Sequence, residues 1–297
     1  MPSRPVCVAI LLAWTIAAWE LFRRDLLPEF IVGQPPDLRA IARAGGEEER
    51  PVRWTILMVD ERDRSGLNGR AVGQIITETQ RQQDGGVRLA SEAWFDANLL
   101  LSKGKNPDPD SPEGLAVGET DADRLEVYGA CWIDASGNLD SFRVALREAN
   151  SSDDLFVLEG RLKKDRIEVT SSGIIPYFGP RSFPYRSHGL VQSTLGPIDR
   201  LPGLHVGQSW ESQVVSPLTG QVQTARVEVV GSRILTWDNN PVTTLEVVTH
   251  LAGLTSRTWV LRDGQVVRQE VPFPLAKLVL ERVPPDASSF RYMRNDR

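Results

Sequence analysis

Cysteine is almost absent: Cys7 and Cys131 are the two in 297 residues. Cys7 opens an apolar run and Cys131 lies far from it, so they supply no disulfide framework, and without a CxxC there is no zinc ribbon. Histidine is nearly as scarce. His188, His205 and His250 are the three, and no two stand at metal-ligand spacing. The chain has neither GxxxxGK[ST] nor a GxGxxG opening a helix, which removes the common phosphate cradles. It also lacks a basic block: 34 Lys+Arg stand against 39 Asp+Glu, a net charge of -5. Nucleic acid is therefore not expected as a partner. Lysine is rare beside arginine, but the arginines are scattered and form no phosphate patch.

What is present is an ordinary globular composition, 41% hydrophobic and 25% charged, with 24 Gly and 20 Pro. The length suffices for one large β domain or two smaller ones. The longest uncharged stretch is Pro5–Trp19, PVCVAILLAWTIAAW, which Glu20 interrupts and Arg23-Arg24 close. From Val6 to Phe22 it would span about 26 Å as a helix, at the short end of what crosses a bilayer. Small residues at the -3 and -1 positions of a cleavage site fit poorly here, and Trp19 is an interface residue. The reading is an uncleaved signal-anchor over residues 1–24, preferred to a cleaved signal or a buried soluble helix. Cys7 precedes the apolar core, so it is not a lipoprotein acylation site. Residues 25–51, with Pro35-Pro36, Gly45-Gly46 and Glu47-Glu48-Glu49, read as a linker. Positive flanks on both sides barely decide orientation. The expectation is a single-pass protein of the inner (cell) membrane with its β domain on the exported side.

From Trp54 the hydrophobic period becomes two. In Val87–Leu101 the positions Val87, Leu89, Ser91, Ala93, Phe95, Ala97, Leu99 and Leu101 alternate with Arg88, Glu92, Asp96 and Asn98. That is a half-buried antiparallel strand. Arg124–Asp134 repeats it, with Leu125, Val127, Gly129, Cys131 and Ile133 on one face, so Cys131 is a small core residue. Further strands are expected at 53–60, 70–81, 140–149, 155–163, 166–172, 210–215, 221–231, 242–251, 255–262, 265–271 and 277–283. Turn residues separate them at Asn68-Gly69, Asp84-Gly85-Gly86, Ser136-Gly137-Asn138, Asp238-Asn239-Asn240 and Asp263-Gly264. The fold expected is mainly β: a large antiparallel curved sheet or half-open barrel over 52–284. It can divide into sub-sheets at 52–173 and 205–284 joined by 174–204, with a tail at 285–297. Two stretches break the period. Residues 102–122 are Pro- and Asp-rich, and 174–209 combine five prolines with Tyr177, Phe178, Phe183 and Tyr185. Leu190, Val191, Leu195, Ile198 and Leu201 fall roughly on one face of the second stretch. It reads as a segment covering the sheet, with Leu190, Leu195, Ile198, Tyr177 and Phe178 as candidate lid or ligand-lining residues.

Catalytic chemistry is thin. His188, Ser193 and Asp199 lie in one loop and supply the residue types of acyl transfer, but Ser193 sits in Val-Gln-Ser-Thr-Leu and not in a Gly-x-Ser-x-Gly elbow. Surface and capping roles are the simpler reading. The stretch 106–114 alternates oxygen ligands like a calcium loop but lacks the glycine its sharp turn requires. Asn150-Ser151-Ser152 matches a glycosylation sequon of low specificity. Trp54, Trp94, Trp132, Trp210, Trp237 and Trp259 lie in or beside expected strands, as packing residues or as the wall of an apolar hollow. No catalytic residue, metal site or cofactor is assigned.

The text Val242–Leu251, Arg257–Arg268 and Lys277–Arg282 resembles hairpins of bacterial lipoprotein-carrier-like envelope proteins, a strand ending Trp-x-x-x-Asp-Gly before an Arg-bearing return strand. The likeness covers about 40 residues. It implies an open, half-closed barrel, lidded and able to hold acyl chains. The function expected is non-enzymatic: an envelope protein, attached to the membrane through its N-terminal helix, that binds an apolar ligand or a protein partner. The alternatives are a hydrolase using the 188–199 loop and a structural subunit of a membrane complex. The anchor is expected to stay on the chain. Intact-mass analysis of protein purified from membranes checks this, and a mature N-terminus near residue 18 or 20 would contradict it.

Overall fold

The computed structural model describes residues 51–59, 69–96, 124–174, 179–185, 197–215, 222–273 and 276–285. The expected anchor and linker, the 102–122 loop and the tail beyond 285 lie outside them. Among the described residues no helix is long and apolar enough to cross a membrane.

Fourteen strands form one antiparallel sheet: β1 (Val52–Val59), β2 (Arg70–Arg81), β3 (Val87–Asp96), β4 (Arg124–Ile133), β5 (Leu139–Glu148), β6 (Asp154–Lys163), β7 (Arg166–Ser172), β8 (Arg181–Pro184), β9 (Ser209–Val215), β10 (Val222–Trp237), β11 (Asn240–Leu251), β12 (Leu254–Leu261), β13 (Val266–Phe273) and β14 (Ala276–Arg282). Their order across the sheet is β8-β7-β6-β5-β4-β3-β2-β1-β14-β13-β12-β11-β10-β9. Each half is a meander, and the two spans 52–173 and 205–284 belong to a single sheet. β1 pairs with β14 in register Trp54↔Arg282, Ile56↔Leu280 and Met58↔Leu278. Turn chemistry sets the hairpins. Asp238 and Asn239 both take positive φ, 52° and 58°, as a two-residue loop between twisted strands requires.

Two strands depart from expectation. β8 is additional, because Pro180 and Pro184 mask four residues that pair with β7 from Arg166↔Pro184 to Val169↔Arg181. Proline is tolerated there because an edge strand does not need every N–H. β10 runs to Trp237 rather than 231. Its distal residues, past a bulge between Val229 and Gly231, are largely exposed and so carry no alternation to read. β3 is described to Asp96, where it pairs with Arg124.

The inner face holds two apolar clusters. One gathers Trp54 and Ile56 from β1, Val72 and Ile75 from β2, Ala93 from β3, Trp210, Val227, Val229 and Val247 from β9–β11, and Leu280 from β14. The other joins Leu139, Phe142, Leu158, Ile167, Val169 and Tyr185, and Val222 of β10 packs against it. Strand β10 stands far from β5–β7 in the sheet order, so Val222 meets them only because the sheet curls round. Among the described residues β8 and β9 share no ladder, and the sheet is not closed into a barrel. Gly160 faces Phe142 across β5 and β6, and a Cβ there would stand 2.0 Å from the ring, so glycine is what lets the aromatic lie flat. On the opposite face three arginines stack on tryptophans at 5.3–5.8 Å: Arg124 on Trp94, Arg88 on Trp132 and Arg268 on Trp259. Each such pair contributes on the order of 0.5–1 kcal/mol where exposed.

Cys131 lies opposite Leu89 and Phe142 and packs against the second cluster. Burial pushes its thiol up to about 12, so thiolate is scarce at neutral pH. Cys131→Ala is expected to cost about 1 kcal/mol in denaturant unfolding, through a small lost contact. Cys131 is half-buried, and with so little thiolate a thiol reagent should label the native protein far more slowly than the unfolded chain. Fast stoichiometric labelling in native buffer would contradict the placement.

Candidate functional site

Polar chemistry gathers at the end of the sheet where β1 begins and β14 finishes. Alternation brings it there. Leu278, Leu280 and Arg282 share the inner face of β14, so the strand's last inward position is a cation. Trp54 is its register partner on β1 and is fully buried. The Arg282 guanidinium lies 6.0 Å from the Trp54 ring centroid. Thr77, on β2, is 4% exposed and takes an inward position that an apolar residue would otherwise fill.

Residues 197–208 lie across this end. Val266 donates its N–H to the Asp199 carbonyl at 3.0 Å, and Leu201 donates to the Gly264 carbonyl at 2.7 Å. Arg200 bridges to Gln265. Gly264 is required twice, by its φ of 85° and by a Cβ position 2.8 Å from the Cα of Pro202. Further on, Gly207 donates to Val229 and Val229 to Gln208, each at 2.9 Å, which ties the segment to β10. Ile198, Leu201 and Leu204 pack into the first cluster.

Asp199 stands at the crossing. Its Oδ1 accepts from Thr77 Oγ1 at 2.5 Å and from Trp54 Nε1 at 3.3 Å. The same indole N–H lies 3.1 Å from Thr77 Oγ1. Arg282 Nη1 donates to the Asp199 carbonyl at 3.3 Å and to the Val266 carbonyl at 3.5 Å. Its cation thus faces backbone dipoles, with no carboxylate within ion-pair distance among the described residues. Burial raises the Asp199 carboxyl above its ordinary value, outweighing the hydrogen bond from Thr77 and the pull of Arg282. Burial lowers the Arg282 pKa, with Asp199 opposing that and Arg200 adding to it.

Among the described residues this arrangement holds no activated nucleophile. The Thr77 hydroxyl is directed at a carboxylate that no histidine orients among the described residues. It can pin a segment, and it presents guanidinium groups at the rim. Of the residues expected to line a lid, Ile198 joins the core, while Tyr177, Phe178, Leu190 and Leu195 lie outside the described residues. Of the hydrolase set, His188 and Ser193 lie outside them too, as do residues 106–114. Asp199 makes an internal anchor rather than a surface cap. His250 is exposed, with its ring nitrogen 3.1 Å from Thr255 Oγ1, and no group of three metal-ligating residues occurs among the described residues. Thr77 and Arg282 escaped the sequence reading. The signal was available, since each interrupts the apolar side of an alternating strand.

Asp199→Asn keeps an acceptor oxygen for Thr77 and Trp54 but cannot ionise. The folded carboxyl binds its proton more tightly than the unfolded one, whose ordinary value is 3.8. Native stability contributed by the neutral acid is therefore lost as pH rises from that value through the raised one. Denaturant unfolding from pH 4 to pH 8 should show this decline in the parent chain. In the variant it should be shallower, so that the variant gains on the parent as pH rises. Parallel curves would refute a raised Asp199.

No family model matches the chain, and neither does any curated protein. Among solved structures, it is similar to a crystal structure described as a beta-barrel-like protein of Domain of Unknown Function DUF1849 from Brucella abortus, at 10% identity and a TM-score of 0.46. That match covers 80% of this chain and 97% of the other.

Proposed function

We propose that the protein is a non-enzymatic binding protein of the cell envelope, held at the membrane by residues 1–24, whose curled sheet takes an apolar ligand. The observation that carries this reading is the open curl. A sheet rolled far enough for Val222 to reach the β5–β7 cluster, yet without a β8–β9 ladder among the described residues, curls round an apolar inner face. Apolar interiors with a few convergent polar groups are the usual form of small-molecule sites. The likeness of 242–282 to lipoprotein-carrier hairpins points the same way. The hydrolase alternative is weakened by Asp199, whose carboxylate oxygen is engaged by Thr77 and Trp54.

Full-length protein in lipid nanodiscs, titrated with a fluorescent fatty acid against empty nanodiscs, tests the reading. Saturable uptake with a change in tryptophan emission is expected. A titration indistinguishable from empty nanodiscs would overturn it, and covalent labelling of Ser193 by a serine-reactive probe would restore the hydrolase.

A further inference from the structure

We propose that Arg282, assisted by Arg200, receives the oxyanion head of an acidic amphiphile at the end of the sheet where β1 begins and β14 finishes. This rests on the binding function above and names the chemical class of its ligand.

Four observations carry it. First, Arg282 is an inward arginine on a strand whose other inward positions, Leu278 and Leu280, belong to the apolar core. A part-exposed cation at the edge of an apolar face suits a molecule with an acidic head and a greasy tail. Second, its donors are poorly used. Nη1 makes two long bonds to the carbonyls of Asp199 and Val266, at 3.3 and 3.5 Å, and no other hydrogen bond of this side chain exists among the described residues. Guanidinium groups bind carboxylate and phosphate through paired N–H donors, so this fork has capacity left. Third, the guanidinium carbon lies 6.0 Å from the Trp54 ring centroid, within cation–π reach, a contact that uses none of its N–H donors. Arg200 is next in sequence to the carbonyl that Arg282 touches, and both arginines are part-exposed. Fourth, the local acids do not neutralise the pair. The Asp199 carboxyl is held by Thr77 and Trp54 and disfavours its charged form, and Asp263 acts on Arg282 only at longer range. The more deeply buried Arg268 shows what a neutralised cation looks like in this chain, clamped by Glu270 and Glu281, each at 3.1 Å.

An incoming oxyanion would exchange the two long carbonyl bonds of Arg282 for shorter, charge-assisted ones. The Asp199 carbonyl keeps its bond from Val266, so the 197–208 segment stays tied to the β12–β13 turn.

The test compares four ligands by calorimetry on the full chain in nanodiscs: octanoate, octyl phosphate, 1-octanol and inorganic phosphate. Octanoate and octyl phosphate should bind at least 10-fold more tightly than octanol, which matches their tail but lacks the charge. In Arg282→Gln that preference should fall to 3-fold or less while octanol binding is unchanged, and Arg200→Gln should show a smaller loss. Arg282→Lys retains charge without the fork and should keep part of the preference. It serves also if the glutamine variant fails to fold. Equal affinity for octanoate and octanol would overturn the head-group inference while leaving the binding function standing, and no binding of either would overturn both. Inorganic phosphate as tight as octyl phosphate would mean that the site takes a free oxyanion and not an amphiphile. Loss of stability in Arg282→Gln with the preference intact would reduce Arg282 to a structural tie.

Discussion

Everything in this fold hangs on the pairing of the first strand with the last. β1 and β14 contribute six register pairs, from Trp54↔Arg282 to Val59↔Lys277, across more than 200 residues of chain. Remove that ladder and the described residues form an eight-stranded and a six-stranded meander, each with a long apolar face and a bare central margin. With it, the two meanders become one continuous sheet and the first cluster can draw on strands from both ends of the sequence. Loop closure over such a distance costs entropy before any contact rewards it, so assembly of the complete sheet should be slow compared with that of its hairpins.

The same pairing explains where the polar residues sit. Trp54 and Arg282 are opposite each other because the register puts them there, and Thr77 is beside them because β2 continues it in the register Val52↔Thr77. The 197–208 segment then finds at one place an indole N–H, a hydroxyl and a guanidinium, and Asp199 and its carbonyl meet all three. A carboxylate in such surroundings costs more than an apolar side chain of its size would, and the hydrogen bonds from Thr77 and Trp54 offset part of that cost. The result is specific placement of one connection. It closes one end of the sheet with Ile198, Leu201 and Leu204 underneath.

The strands were legible because one face is buried and the other wet, so Val87–Asp96 and Arg124–Ile133 write their conformation in alternation. The turns were legible because Asp238-Asn239 and Gly264 need positive φ. β8 was hidden by its prolines, and the far half of β10 by exposure on both faces. Closure was not legible at all. Nothing local in 52–59 or 276–282 says that they are partners, since pairing between distant strands depends on all the strands between them. Two partners of Asp199 are invisible to sequence proximity: the fold supplies Thr77 and Trp54, 122 and 145 residues away.

One margin of the sheet has a consequence for how copies of the protein behave together. β8 is four residues long, begins at Arg181 and ends at Pro184, which has no N–H to offer. Arg166 reaches over from β7, giving its Nη2–H to the Ser182 carbonyl and its Nε–H to the Ser182 hydroxyl, both at 2.9 Å. A neighbouring molecule seeking to extend the sheet here meets a short strand, a proline and an acceptor already taken, beside fixed positive charge. Edge strands built in this way resist templating by other chains. That margin is therefore a poor seed for aggregates even where copies of the chain are crowded together.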